Sequence, residues 1–356
     1  MNTALLIDTA RSLMVPGKGL LAMDESVATC NRRFAEAGIP QTAELRRLYR
    51  ELLVNTPGLG EGVNGAILFD VTLRGTMSGG ELFIAGMVRA AVLPGIKVDF
   101  GTVGLALFPG EKVMCGLDRL RERVGDYRRM GTVFARWRSV IAIGPGLSSR
   151  GCVDASAHAL SRYTAICQEA GLVPIVEPDV GMDGGHDLAA CEATTEEVLH
   201  AVFRDIRSQR VLLEAMLLKP NRVVPGSNSL ERVSPEQVAS LTMRCLRRSV
   251  PAAVAGVAFL SGGQPAVVAT RRLNAMCREH ARSQPWPITF SFGRALRRPA
   301  PNLGSGHRGN VDAAQRALLL RVRCNSAAQR GCYTDSLETE SSSDAATDRS
   351  VVGVTS

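Results

Sequence analysis

Four lysines stand among 38 arginines in this 356-residue chain, and one of them, Lys219, closes the apolar run VLLEAMLLKP. Arginine cannot be deprotonated in a protein, whereas a desolvated lysine can lose its proton and attack a carbonyl to form an imine. A lysine kept at the end of a buried run, in a chain that otherwise uses arginine, is a candidate Schiff-base nucleophile. Lys97, in IKVD, is a second amine in an apolar run, but Asp99 beside it reads as a partner that keeps it charged. Lys18, in a Gly-Lys-Gly turn, and Lys112 read as loop residues. Carboxylates suited to proton transfer are Asp24 and the pair Glu177 and Asp179 that flanks Pro178. Arg136 and Arg138 repeat the same i, i+2 spacing, which in an extended segment points both side chains to one face. For anion binding, Ser261-Gly262-Gly263 and Gly293-Arg294 offer exposed backbone N–H groups and a guanidinium.

The elements that must hold these residues recur along the chain. Short apolar runs bounded by glycine, proline or charge lie at 19–24, 65–70, 95–100, 134–144, 172–179, 211–220, 256–263 and 287–294. Helix-like stretches separate them. Eight such runs in about 280 residues predict a single-domain α/β fold, a (β/α)8 barrel with parallel strands. In that fold the sites form where the strands end at the C-terminal face. Asp24, Asp70, Lys97 with Asp99, Arg136 with Arg138, Glu177 with Asp179, Lys219, Ser261 and Arg294 all fall there. A purely structural ion-pair network filling the barrel is the alternative use of these charges.

Between the strands, 43–53 predicts a helix with Leu45, Leu48, Tyr49, Leu52 and Leu53 on one face. Thr194 with Glu197, and Ser234-Pro235 with Gln237, have the spacing of capping boxes. A further amphipathic helix is predicted over 311–323. The barrel and its C-terminal helix are assigned to 1–330, and the acidic, Ser/Thr-rich 331–356 to a flexible tail.

Composition excludes several classes. The net charge is +8, with the basic excess before Gly331, since the tail sets five acids against Arg349. The arginines are scattered, and no helix-turn-helix, zinc-finger or RNP pattern accompanies them, so no nucleic-acid partner is expected. No apolar run is long enough to span a membrane, and the opening MNTALLIDTARSLM lacks the parts of a signal peptide, which predicts a cytoplasmic protein. Nine cysteines without a C-x-x-C pair read as reduced core thiols. The five histidines form no ligand cluster; His186, in GGHD, reads as a loop residue, and no metal or other cofactor is expected.

The segments GKGLLAMDES, GIKVDFG, FARWR, GLVPIVEPDV, DGGHDL, LLEAMLLKPNRV, SVPAAVAG, FLSGGQ and TFSFGRA resemble, in the same order, those of class I fructose-bisphosphate aldolases. The resemblance runs from about residue 5 to about 333. It implies a (β/α)8 fold and reversible cleavage of fructose 1,6-bisphosphate to dihydroxyacetone phosphate and glyceraldehyde 3-phosphate, without metal. It also suggests a homotetramer. Carried over by motif, it makes Lys219 the imine lysine, Glu177 the acid/base of imine formation and Asp24 the carboxylate assisting C–C cleavage. It puts Lys97, Arg138, Ser261, Gly262 and Arg294 at the two phosphates, with Ser26, Arg33 and the Ser291 of TFSFGRA among the binding residues. The chain departs from the family at FAKWR, where Arg136 replaces a second active-site lysine. It departs again at VEPE, where Asp179 is shorter, and at KVDKG, where Phe100 stands for lysine. The family's WGG reads LGSG at 303–306, and its terminal tyrosine is replaced by Val-Thr-Ser, with Tyr333 no obvious substitute. These departures support a second reading, a barrel of this fold that binds sugar phosphates or a protein but has impaired turnover.

Overall fold

A computed structural model of the chain describes residues 2–280, 283–297 and 308–339. The eight apolar runs become the strands β1 (Gly19–Ala22), β2 (Val63–Leu68), β3 (Leu93–Lys97), β6 (Phe134–Ile141), β7 (Val173–Val180), β8 (Leu217–Leu218), β9 (Gly256–Phe259) and β10 (Ile288–Phe292). They close into one parallel barrel in the order β1-β10-β9-β8-β7-β6-β3-β2. The predicted (β/α)8 architecture is the one observed.

Alternation along each strand explains how an apolar barrel presents charge at one end. On β6 the residues Phe134, Arg136 and Arg138 share the inner face, while Ala135 and Trp137 are buried among the surrounding helices. On β7 the inner row is Val173, Ile175, Glu177 and Asp179, and on β8 Leu217 is followed two residues on by Lys219. Each inner row therefore begins apolar and ends polar. The helix Thr3–Ser12 closes the apolar end, where Leu6, Ala10 and Leu13 pack with Leu20, Phe134, Ile175 and Leu217. Gly95 leaves room for the Phe134 ring, since a Cβ there would lie 2.1 Å from it.

The ladder of β8 is short for a covalent reason. Lys219 N–H donates to the Val176 carbonyl at 2.8 Å, and Pro220 next in line has no N–H to continue. Lys219 thus donates the last ladder bond from this strand to β7, facing inward.

Several local expectations are corrected. A two-stranded ribbon, β4 (Thr102–Gly104) and β5 (Lys112–Met114), follows β3, so Lys112 is on a strand. The helix carrying Thr194 runs Leu188–Ser208 and is capped by Asp187, whose Oδ1 accepts from Ala190 N–H at 2.8 Å; the Thr194/Glu197 spacing lies inside it. The box at Ser234 is present, with Pro235 in the first turn. In the helix Ala43–Val54 the predicted face is buried at Tyr49, Leu52 and Leu53, whereas Leu48 is exposed. The C-terminal helix extends over Arg308–Gln329. The start of the expected tail packs on the body: Tyr333 is buried and donates to Glu338 at 2.8 Å, and Glu338 pairs with Arg321. Residues 340–356 and the LGSG of 303–306 lie outside the described residues. No helix among the described residues is long and apolar enough to cross a membrane.

Candidate active site

At the polar end of the barrel lies a cleft of ≈ 460 Å³. Asp24, Arg136, Arg138, Glu177, Asp179, Lys219, Ser261, Gly262, Ser291, Arg294 and Arg33 all line it, so the barrel gathers residues spread over 271 sequence positions into one volume. Two predicted residues stand apart from that lining. Lys97 is paired with Asp99 at 3.1 Å and lies over the Phe69 ring, 5.5 Å from its centroid. Ser26 caps the helix Val27–Glu36, its hydroxyl accepting from Thr29 N–H at 3.2 Å.

The innermost group is Lys219, which is 3 % exposed with its Nζ 3.1 Å from Glu177 Oε2. The same oxygen accepts from Arg136 Nε. Arg136 also reaches Asp24 Oδ2 at 3.2 Å and Asp99 Oδ2 at 3.6 Å, so one guanidinium joins carboxylates from three strands' ends. Arg138 clamps Asp179 and passes 3.7 Å from Glu177. Charges this deep are tolerated because each faces its opposite.

Burial pushes the Glu177 carboxyl up, but Arg136 first and Lys219 second outweigh it and hold the group at about 2. Burial holds the Lys219 ammonium below the usual lysine range, and the Arg136 charge acts in the same direction against the pull of Glu177 and Asp24. Burial also opposes the Arg136 charge, yet Glu177, Asp24 and Asp99 keep it firmly protonated. The site therefore holds one cation that cannot release a proton beside one that can.

The opposite wall is made by the loops after β9 and β10. Gly262 and Gly263 have φ of +56° and +81°, backbone that favours glycine. Arg294 lies over that turn: its Nη2 is 3.0 Å from where a Cβ on Gly263 would be. Ser291 Oγ is buried without a hydrogen-bond partner. Deeper, Glu25 takes Arg33 and Arg297 on the same Oε1, and Arg297 also bonds Tyr49 OH at 2.8 Å.

Sequence reasoning did not single out Glu25, Asn221, Arg222, Gln264 or Arg297, which also line the cleft. Each sits within three residues of a predicted site residue, in MDES, LKPNR, SGGQ and GRALR, and that proximity was the available signal. Among the described residues, no group of His, Cys, Asp and Glu is arranged to hold a metal. All nine cysteines are free, seven of them buried.

Comparison with known proteins agrees with this geometry. The model of the glycolytic class I fructose-bisphosphate aldolase family matches residues 5–351. A probable class 1 fructose-bisphosphate aldolase of Xylella fastidiosa is 45% identical over 332 residues, covering 93% of this chain and 99% of its own. The cytosolic fructose-bisphosphate aldolase 6 of Arabidopsis thaliana is 47% identical, covering 92% of this chain and 91% of its own. Among solved structures, the fructose-bisphosphate aldolase of Plasmodium falciparum, crystallised with TRAP and an inhibitor, superposes with a TM-score of 0.90 at 41% identity, covering 93% of this chain and 95% of that one.

Proposed function

The chain belongs to the class I fructose-bisphosphate aldolase family, and we propose that Lys219, Glu177 and Asp24 carry the reaction in it. That reaction is the reversible, lyase-type cleavage of fructose 1,6-bisphosphate to dihydroxyacetone phosphate and glyceraldehyde 3-phosphate through a lysine imine. The observation that supports these roles is the 3.1 Å separation of Lys219 Nζ and Glu177 Oε2 at the base of the cleft. One proton moved across that gap converts the resting ion pair into a neutral amine and a neutral acid. Attack on a carbonyl needs the first, and expulsion of hydroxide needs the second.

The sequence of events follows. Neutral Lys219 adds to C2 of the open-chain ketose, giving a carbinolamine. Glu177 returns its proton to the C2 hydroxyl, which leaves as water, and the iminium forms. Asp24 then takes the C4 hydroxyl proton while the C3–C4 bond breaks. The bonding pair moves into the iminium, so glyceraldehyde 3-phosphate departs and an enamine stays on Lys219. Protonation at C3 and hydrolysis release dihydroxyacetone phosphate and restore the amine. Arg136, held by three carboxylates, gives electrostatic support and keeps Glu177 in place. Ser261, Gly262, Ser291 and Arg294 would take one phosphate, and Arg138 and Arg33, which line the same cleft, would take the other; the family resemblance also assigns Lys97 and Ser26 to binding, although both stand apart from that lining.

Reduction with borohydride in the presence of fructose 1,6-bisphosphate or dihydroxyacetone phosphate tests the assignment. A triose or hexose phosphate adduct is expected on the Lys219 peptide; modification at another lysine, or at none, overturns it. The family resemblance also supports a homotetramer, which sedimentation would check, and the cytosolic relatives support a cytosolic location.

A further inference from the structure

Arg222 is one of the largest fully buried side chains of the protein, 1 % exposed. It follows Lys219 by three residues, just past the Pro220 that ends the β8 ladder. Its guanidinium lies between two aromatic rings, 5.4 Å from the centroids of Phe259 and of Phe292. Among the described residues it forms no ion pair with a carboxylate, unlike Arg136, Arg138 and Arg297. Its Nε has no hydrogen-bond partner. Its two remaining nitrogens donate to main-chain carbonyls, Nη1 to Leu260 at 3.0 Å and Nη2 to Ala269 at 3.3 Å. Burial, with Arg272 nearby, pulls its pKa down to about 9, the mark of a charge without a counter-ion that is still a cation at neutral pH.

A buried, unbalanced cation destabilises a fold unless something repays it. The two carbonyls say where to look. Leu260 precedes Ser261, and Ala269 lies in the first turn of the helix Ala266–His280, so Arg222 grips both sides of the Ser261–Gly263 turn from beneath. In a trans peptide the N–H points opposite to the C=O. A Leu260 carbonyl turned inward to Arg222 therefore turns the Ser261 N–H outward, toward the cleft that Ser261 lines. A hydrogen bond to the carbonyl also polarises that N–H.

We propose that Arg222 is a positioning residue for substrate phosphate: it fixes the Ser261–Gly263 turn, and the phosphate dianion bound there is its missing counter-ion. This rests on the assignment of that turn as a phosphate site. The substrate's charge then offsets a cost that the empty protein carries, so Arg222 trades stability of the free enzyme for anion affinity.

The full-length enzyme with Arg222→Met, Arg222→Gln and Arg222→Lys tests this through KM for fructose 1,6-bisphosphate, inhibition by inorganic phosphate, and Tm. Loss of one unit charge near the phosphate should raise KM and the phosphate inhibition constant about tenfold in the Met and Gln proteins. Most of the loss falls on KM rather than kcat. The Lys protein, which keeps the charge, should stay within about threefold of the native enzyme. The Met protein should melt at or above the native Tm, because an unpaired buried charge is gone. Native phosphate binding in folded Met and Gln proteins overturns the proposal. If the Met protein does not fold, equal binding by the Gln and Lys proteins overturns it. Arg294→Met, measured alongside, separates the two assignments. If it weakens phosphate binding while the Arg222 variants do not, only Arg222 is wrongly placed; if it changes nothing, the phosphate turn itself is wrongly assigned and both fall.

Discussion

The two walls of the cleft are built on opposite electrostatic plans. Where Lys219 stands, every charge meets its opposite: Lys219 and Arg136 on Glu177, Arg136 on Asp24, Arg138 on Asp179. Toward the β9 and β10 loops cations outnumber acids: Arg294 lies over the Ser261–Gly263 turn, Arg222 lies beneath it, and one carboxylate, Glu25, is shared by Arg33 and Arg297. Proton chemistry needs the first plan, because a proton can move between the members of a close pair without leaving a net charge stranded in the barrel. Anion binding needs the second, because a fully balanced wall has no field left for a phosphate.

The sharpest break of the paired wall is Lys219→Arg. The cation persists and the pairing with Glu177 can be kept, yet no neutral amine can form. Turnover should fall by at least about 10³-fold, with fructose 1,6-bisphosphate still bound and no borohydride-fixed adduct. Residual turnover near native would mean that another amine carries the imine.

Glu177→Gln breaks the same wall through stability. It leaves Arg136 and Lys219 buried without their shared anion, a loss of about 3 kcal/mol at neutral pH. Glu177 has a folded-state pKa depressed from 4.5 to about 2. Its stabilisation is therefore complete above the ordinary value and is lost as pH falls from about 4.5 toward 2. Urea midpoints of the native and Gln proteins should differ most above pH 5 and converge below pH 3. Parallel curves across that range would show that the pair contributes no net stability.

The cation-rich wall is broken by Arg294→Met. Losing one charge-assisted contact to phosphate should raise KM about 10- to 100-fold. Because Lys219 and Glu177 lie on the other wall, kcat should change far less. Equal losses in kcat and kcat/KM would mean that the walls are not separable.

Much of this division was legible beforehand, and the reasons are specific. The inner rows Phe134-Arg136-Arg138 and Ile175-Glu177-Asp179 carry a period of two that survives any detail of packing, and Lys219 stood out against an arginine background. The paired wall could be read because i, i+2 spacing fixes which side chains share a face. The partners across strands could not, since register and depth decide that Arg136 meets Asp24 and Asp99 and that Lys97 turns from the cleft to Asp99. Arg222 and Arg297 escaped notice because nothing in LKPNR or GRALR says which arginine points inward. The ribbon of β4 and β5 was missed because its strands are only three residues long. Thr194 misled because a capping pattern is local, while the Asp187 cap sets where that helix starts.

Arg136 offers the finest test of the paired wall, since its charge is fixed where the family motif has lysine. That fixed charge helps to hold Lys219 below the usual lysine range. Neutral Lys219 with protonated Glu177 carries the same proton count as the resting ion pair, so the reactive form is lost as pH rises through the folded-state pKa of Lys219, which sets the falling limb of the pH–rate profile. Arg136→Lys keeps a cation at neutral pH but shortens its reach to Asp24 and Asp99 and introduces a second group that can titrate. Turnover should stay within about tenfold, and the falling limb should spread into two coupled steps. Arg136→Met removes the charge, so Lys219 should hold its proton more tightly and the limb should move to higher pH. A gain of about a hundredfold in the Lys protein would show instead that Arg136 locks Glu177 and Asp24 against proton transfer, and that the native cleft binds its sugar phosphate with turnover held back. An unshifted limb in the Met protein would show that burial alone sets the Lys219 pKa, leaving Arg136 as a bracket between strands rather than a field on the amine.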